Sequence, residues 1–352
     1  MINKKKRKLI ILTKKFGYNF TGATVATHEL LKYWKKEFDD ITIITREVGK
    51  YDSNINLRLL QAKSTLQIID ILKKTKDSDA VYYSDDHMGY LMKLCGIKYY
   101  HTYHGNWPDA RRASIEFWLK SLFFIPAYKL TLKNAKLVIN VSYYMEKYTR
   151  NFNKYTTVIR NGLGQRINST LTNSTEFIKE VNPNDDNKLN ILMVGVIDKR
   201  KYKLALKLFD LIKDKEFTNK INVDIYGGIQ DKSIGSILSS YNFINLKGHV
   251  DKIEVGKYDV FLNTSAIENL SISVCEAIAN KVPVVCFNVG GLGEIVKNGI
   301  NGFLIPNGDI NEMGRKIENL INKGYTFVFN DNLLFNYNWQ SAATEYLKQF
   351  IM

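Results

Sequence analysis

The sequence predicts an α/β protein made of two doubly wound, Rossmann-like domains, and three observations carry that prediction. Short runs rich in β-branched and aromatic residues alternate with longer helical patterns from one end of the chain to the other. These runs are apolar throughout, as strands of a parallel sheet covered on both faces by helices must be. The rhythm occurs twice, and 352 residues suit two domains of about 150 residues each.

In the first series the strand candidates are Leu9–Leu12, Ile41–Thr45, Ala80–Tyr83, Tyr99–Tyr103, Leu137–Val141 and Thr157–Ile159. Helical segments such as Ala23–Lys36 and Ser64–Lys74 lie between them. The second series runs through "LNILMVG", "INVDIYGG", "INLKGHV", "YDVFLNTS", "VPVVCFN" and "GFLIPNGD". Between the two lies "RINSTLTNSTEFIKEVNPNDDNK", residues 166–188, polar and without a sustained apolar period, which reads as a linker or exposed excursion. The expected domains are therefore 1–165 and 189–337, followed by "NWQSAATEYLKQFIM" as a last amphipathic helix over 338–352.

Hydrophobic content of 45% and charged content of 24% are those of a soluble globular protein. The net charge of +15 implies an anionic partner: nucleic acid, an acidic membrane surface or a phosphorylated small molecule. A merely solvated basic surface is the plainer reading. Cys95, Cys275 and Cys286 are too few and too scattered for a disulfide framework or a zinc knuckle, and read as core residues in a reducing compartment. The apolar run Leu9–Leu12 is shorter than the ~7–15 residues of a secretory signal core. No stretch approaches the ~18 apolar residues of a membrane span. A cytoplasmic location is expected.

The stretch "SAIENLSISVCEAIANKVPVVCFNVGG" concentrates the chemistry. A helix is expected to begin near Ser271, capped by Ser271 or Ser273, so the loop Ala266–Leu270 meets a helix N-terminus at the C-terminal edge of a parallel sheet. Unpaired amides and the positive end of the helix dipole make such a place receptive to an anion. That singles out Asn269, Leu270, Ser271 and Ile272 as nucleotide-diphosphate contacts. Glu268 precedes the helix and Glu276 lies about one turn inside it. A sugar nucleotide has the matching layout, with ribose at one end, diphosphate in the middle and hexose at the other. On spacing alone, a loop charge and a dipole partner are the better explanation of the pair.

"SAIENLSISVCEAIANKVPVVCFNVGGLGEIVKNGINGFLIPNGD" resembles the donor-site signature of GT-B retaining glycosyltransferases, specifically glycosyltransferase family 4 (glycosyl transferases group 1). The resemblance implies two Rossmann-like domains facing across a cleft, with the final helix packing back on the first. It implies that Glu276 binds ribose and Glu268 the donor hexose. "FTGATVATHELLKYW" resembles the glycine loop under the donor phosphates, through Gly22; Thr21 stands where relatives often have a second glycine. "YHTYHG" resembles the strand end carrying an active-site histidine, which points to His104 rather than His101, and "VIRNGLG" matches the Asn-Gly before the crossover, Asn161 and Gly162. In "ILMVGVIDKRKYKLALKLF", Gly195 and Lys201 match the family's diphosphate loop, whereas Val196 replaces its arginine and Tyr202 its second glycine. Lys199 or Arg200 would have to supply the missing charge.

The resemblance implies transfer of a hexose from a UDP- or GDP-linked donor with retention and without a metal or other cofactor. "YSDDHMG" (Asp85, Asp86, His87) is the nearest approach to a metal motif, and acceptor contact or a loop is the preferred reading. Residues 111–136, "RRASIEFWLKSLFFIPAYKLTLKNAK", carry six basic residues against Glu116 alone, interleaved with aromatics, and Pro126 is expected to break the helix in two. With "KKKRK" at 4–8 they favour an anionic membrane surface and a lipid-linked acceptor, on the inner face of the cytoplasmic membrane. An ordinary domain helix is the plainer reading. A nucleotide-sugar 2-epimerase of the same fold, or a basic nucleic-acid- or membrane-surface-binding protein without donor activity, are the rivals. No nucleic-acid module is recognisable, and no G-x-G-x-x-G follows a strand.

Overall fold

The computed structural model describes residues 7–18, 20, 22–112, 114–163, 176–181, 188–250, 252–330 and 337–351. Of the basic run 4–8, positions 4–6 lie outside them, as does Thr21. The chain divides into two compact units, Met1–Gly162 with Asn336–Met352, and Leu163–Phe335.

The first unit runs β1 (Lys8–Phe16), α1 (Gly22–Trp34), β2 (Asp40–Val48), β3 (Arg58–Gln61), α2 (Thr65–Lys74), β4 (Val81–Ser84), α3 (Gly89–Leu94), β5 (Tyr100–Tyr103), α4 (Trp107–Ala110), α5 (Ile115–Asn134), β6 (Leu137–Asn140), α6 (Tyr143–Thr149) and β7 (Thr156–Val158). Its strands form a parallel sheet in the order β3-β2-β1-β4-β5-β6-β7. The alternation of β1 shows why the run is apolar on every residue. Leu9 and Ile11 enter one core with Leu30 and Trp34 of α1, while Ile10 and Leu12 enter the opposite core with Ile68 and Leu72 of α2.

The second unit runs β8 (Glu176–Val181), β9 (Leu189–Val194), α7 (Lys199–Ile212), β10 (Ile221–Tyr226), α8 (Lys232–Leu238), β11 (Ile244–Gly248), β12 (Val260–Asn263), α9 (Ile272–Ala279), β13 (Val284–Phe287), α10 (Leu292–Ile295), β14 (Gly302–Ile305), α11 (Ile310–Lys323) and β15 (Tyr325–Asn330). Its main sheet is parallel, ordered β11-β10-β9-β12-β13-β14.

The last helix, α12 (Trp339–Ile351), belongs to the first unit. Tyr346 and Phe350 meet the Trp34 ring edge-on at 5.4 and 5.3 Å, and the Tyr346 hydroxyl pairs with that of Thr102 at 2.9 Å. Gly162 lets this helix start where it does, since a β-carbon there would run into the Trp339 backbone and ring.

Three local expectations change. Residues 176–181, inside the stretch read as a linker, form β8, which pairs antiparallel with β15. Pro126 does not divide its segment: α5 is continuous from Ile115 to Asn134. The carbonyl that Pro126 leaves without an N–H donor belongs to Leu122, and both residues are exposed, so water can satisfy it. Ser271 occupies the N-cap of α9 but makes no side-chain cap; its hydroxyl pairs with that of Ser273 at 3.0 Å. The three cysteines are buried free thiols.

Candidate functional site

In the second unit β9 is flanked by β10 on one side and β12 on the other, so the chain reverses its direction of travel across the sheet between β9 and β12. The loops leaving two such strands diverge at their carboxyl ends and form the crevice in which open parallel sheets bind ligands. Gly195–Asp198 follows β9 and Thr264–Ser271 follows β12. They are tied together: the Thr264 hydroxyl donates to the Lys201 carbonyl at 2.9 Å.

The β9 loop owes its path to glycine. Gly195 has φ +152°, and a β-carbon there would lie 2.5 Å from Lys201 Nζ, so the lysine side chain extends along the bare backbone. Gly227, at the end of β10, approaches the Gly195 carbonyl so closely that a β-carbon would come well under 3.0 Å from it, and the Gly227 amide donates to the Gly248 carbonyl at 2.8 Å. The ends of β9, β10 and β11, carrying "GGIQ" and "KGHV", are thereby drawn together. Asp198 caps α7, accepting from the Lys201 amide at 2.9 Å.

Lys201 is half-buried, and no carboxylate among the described residues pairs with its ammonium. The two candidates for the missing arginine are placed differently. Arg200 lies 3.7 Å from Asp198 Oδ2 and Lys199 4.0 Å from Asp231 Oδ2, pairs that contribute little in solvent. Val196 is half-buried in the loop, and Tyr202 turns inward, with its hydroxyl 3.4 Å from the Gly195 carbonyl. Burial pushes that phenol well above its ordinary pKa. Tyr202 is thus a packing residue.

On the β12 side, Glu268 is half-buried and Asn269, Leu270 and Ser271 are buried, with Ile272 opening α9. Gly290 (φ +57°) packs its backbone on Glu268, and the Gly291 amide donates to the Asn269 carbonyl at 2.6 Å. The Cys286 thiol is pushed up by burial, with the charge of Glu268 adding to the effect. Glu276 is 7% exposed on α9. A carboxylate so enclosed keeps its charge only with hydrogen-bond donors around it. The two loops tied together at this reversal therefore carry Lys201, without a carboxylate partner among the described residues, and Glu268, and they lead into a helix N-terminus without a side-chain cap, with Glu276 buried on that helix. That set suits a polyhydroxylated diphosphate.

In the first unit the equivalent reversal lies between β1 and β4. Gly22 opens α1 in a right-handed conformation and requires no special φ. Asp85, in the loop after β4, accepts from the Thr27 hydroxyl at 2.5 Å. Asp86 accepts from the Lys14 amide and, at 2.8 Å, from the Met88 amide. Burial raises both carboxyls, Asp85 to about 7 with Asp86 adding to the effect, and Asp86 to about 6. His87 sits edge-on to Phe124 at 4.7 Å, and burial lowers it to about 4. These three groups tie the loop to α1, β1 and α5, and no cluster of three possible metal ligands occurs among the described residues. His101 is sealed inside β5, whereas His104 stands just past its end, half-buried and lowered by burial to about 4, hence neutral near pH 7. Asn161 is buried beside Gly162. Thr264 and Gly290 escaped sequence reasoning; a hydroxyl after a strand and the Gly-Gly pair were their signals.

The description "Glycosyl transferases group 1" matches residues 174–330 and "Glycosyltransferase Family 4" residues 20–163. A poly(ribitol-phosphate) alpha-N-acetylglucosaminyltransferase of Staphylococcus aureus (strain COL) is 25% identical over 166 residues, 44% of this chain and 34% of that protein. The GtfA subunit of a UDP-N-acetylglucosamine–peptide N-acetylglucosaminyltransferase of Streptococcus pneumoniae serotype 4 is 32% identical over 93 residues, 25% of this chain and 18% of that protein. The chain thus matches about a third or less of the length of these curated relatives. Among solved structures, WaaG, a glycosyltransferase involved in lipopolysaccharide biosynthesis, shares the fold with a TM-score of 0.72 at 11% identity, over 97% of this chain and 95% of that one.

Proposed function

The chain belongs to the GT-B glycosyltransferases of group 1 and family 4, and on that premise we propose that it transfers a hexose from a uridine-diphosphate sugar to a hydroxyl acceptor with retention. The observation that carries the donor assignment is the tie between Thr264 and Lys201, which joins the lysine loop to the glutamate loop at the sheet's reversal point. A 2-acetamido hexose is favoured by the two relatives named above, both N-acetylglucosaminyltransferases, and uridine by the streptococcal one, whose name gives UDP-N-acetylglucosamine.

In this reading Glu276 accepts from the ribose hydroxyls and Glu268 from those of the hexose. Lys201 and the amides of Asn269–Ile272 hold the diphosphate, with Arg200 at the rim. The bond from the anomeric carbon to the β-phosphate oxygen breaks as a bond to the acceptor oxygen forms on the same face. The acceptor proton passes to the departing phosphate oxygen, so no protein base is needed, and fixed positive groups stabilise the leaving charge in place of a metal. His104, neutral near pH 7, can accept or donate a hydrogen bond without adding charge. The acceptor is assigned to the first unit, with the loop of Asp85, Asp86 and His87 and with Asn161 on its side, while the Gly22 helix start is assigned to the donor phosphates.

The acceptor is further proposed to be lipid-linked, reached by peripheral docking through α5. Its outward residues Ile115, Trp118, Leu119, Leu122 and Phe123 are exposed, and no helix among the described residues is long and apolar enough to cross a membrane. Incubation with UDP-N-acetylglucosamine in EDTA, followed by NMR of the anomer first released, tests the chemistry. Release of the α-anomer without added metal is expected. The β-anomer, or strict dependence on a divalent ion, would overturn the mechanism.

A further inference from the structure

The first sheet sets two like charges side by side near its carboxyl edge. β1 pairs with β2 through Thr13–Thr45 and Lys15–Glu47, so Lys14 and Arg46 lie opposite each other between those pairs. Side chains alternate along a strand, and Leu12 and Ile44 enter the core with α2, so Lys14 and Arg46 share that face. On the other face the same edge carries Lys15 against Glu47, an ion pair at 2.8 Å. Directly opposed cations repel instead. No carboxylate among the described residues forms an ion pair with Lys14 or Arg46.

Arg46 is half-buried and held in place. A terminal nitrogen of its guanidinium donates to the Thr65 hydroxyl at 2.5 Å, and its carbonyl accepts from Gln61 Nε2 at 3.0 Å. Thr65 opens α2, whose amino end is already closed: Ser64 Oγ accepts from the Gln67 amide at 3.2 Å, and Gln67 Oε1 from the Lys63 amide at 2.7 Å. A cation there opposes the helix dipole and supplies nothing this cap lacks. Lys14 is exposed, with Nζ 5.6 Å from the Phe124 centroid. Asp86 offsets part of the charge: burial raises its carboxyl, and the Met88 and Lys14 amides and the charges of Lys14 and Arg46 oppose that rise. Its two oxygens already accept those amides, and both cations keep donors to spare.

We propose that Lys14 and Arg46 hold a phosphate ester carried by the acceptor, in a subsite at the carboxyl ends of β1 and β2. The inference rests on the assignment of the acceptor to the first unit and names its chemical class. The place adjoins the β1–β4 reversal, since the Asp86 loop after β4 reaches the Lys14 amide. An anion there relieves both the repulsion between the two cations and the opposition of Arg46 to the α2 dipole. A guanidinium fork, an ammonium and the Thr65 hydroxyl supply donors from more than one side. That suits the three oxygens of a phosphate ester better than the two of a carboxylate.

Isothermal titration of the full chain with glucose, glucose 6-phosphate and glucuronate tests it, with UDP present at saturation so that the donor site is filled. The wild type should bind glucose 6-phosphate at least about tenfold tighter than either of the others. Lys14→Gln and Arg46→Gln should each weaken it by about tenfold, the effect of losing one hydrogen bond to a charged group, and leave UDP affinity unchanged. Lys207→Gln, an equal charge change on an exposed α7 residue, should bind as wild type. Lys14 is exposed, so its variant decides the matter if Arg46→Gln does not fold. Glucose 6-phosphate bound no tighter than glucose, or equal losses in Lys14→Gln and Lys207→Gln, with UDP still bound, would overturn the subsite and spare the donor site. Glucuronate bound as tightly as glucose 6-phosphate would overturn the choice of phosphate. Inorganic phosphate bound more tightly than the ester would reassign the pair to the free ion. Failure of UDP to bind would overturn the donor site alone, and the same titrations without UDP would still read the subsite.

Discussion

Gly290 and Glu268 are packed backbone to backbone: a β-carbon at Gly290 would come well under 3.0 Å from the Glu268 carbonyl oxygen. With the neighbouring hydrogen bond from Gly291 to Asn269, the contact fixes the loop that precedes α9. Gly290→Ala combines that clash with a left-handed φ that costs an alanine about 1–2 kcal/mol. It should weaken UDP binding at least tenfold, read by isothermal titration, and lower the melting temperature by several degrees. Unchanged affinity would detach this turn from the donor site.

Lys201 and Arg200 are adjacent in sequence and unequal in setting. The ammonium of Lys201 has no carboxylate partner among the described residues, whereas Arg200 leans on Asp198. Lys201→Ala should reduce turnover by about 10²–10³, the usual effect of removing a fixed stabiliser of leaving-group charge. Arg200→Ala should reduce it less than tenfold. Steady-state rates that rank the two the other way would make Arg200 the replacement for the family's arginine.

By the resemblance of its loop to the family's diphosphate loop, Val196 takes the place of an arginine, in the loop whose glycine Lys201 crosses. Val196→Arg should tighten nucleoside-diphosphate binding by about tenfold, in line with roughly 1.5–3 kcal/mol for a hydrogen bond to a charged group. A competitive displacement titration decides it. Weaker binding would mean that Val196 belongs to a differently shaped loop and not to a depleted one.

Asp85 predicts a pH dependence of stability in the first unit. Its folded pKa is raised by burial to about 7, above the ordinary carboxylate value near 4. The folded state therefore binds the proton more tightly, and the associated stability is full below about pH 4 and lost as pH rises through about 7. Asp85→Asn removes this loss. The melting temperature of the variant relative to wild type should climb between pH 4 and pH 8; a flat difference would show that the carboxyl titrates normally.

The parts of the fold legible in sequence were those whose signal is local. Leu9–Leu12 and Val260–Asn263 read as strands because burial on both faces makes every residue apolar. Gly195, Lys201, Glu268 and Glu276 were singled out through the resemblance of their motifs to the family's, since the spacing of the two glutamates alone does not distinguish a site from a loop charge and a dipole partner. What stayed hidden depends on tertiary placement or on which of several nearby partners a side chain takes. Glu176–Val181 looks like a linker because its strand is completed by Tyr325–Asn330. Ser271 reads as a cap because its neighbour Ser273, which takes its hydroxyl, cannot be inferred from propensity. Pro126 reads as a break because only the tertiary placement shows that the orphaned carbonyl faces water. Thr264 is one hydroxyl among many until the fold sets it on the Lys201 carbonyl.

The central claim, a nucleotide-sugar site at the β9–β12 reversal, is tested most directly by a thermal-shift panel of UDP, GDP, ADP and CMP with EDTA present, on wild type and Glu276→Ala. A ligand at about 100 times its dissociation constant adds roughly 2.7 kcal/mol, a shift of a few degrees. UDP should stabilise the wild type and leave Glu276→Ala unmoved. An equal shift of both proteins, or no shift of a folded wild type by any of the four, would contradict the account.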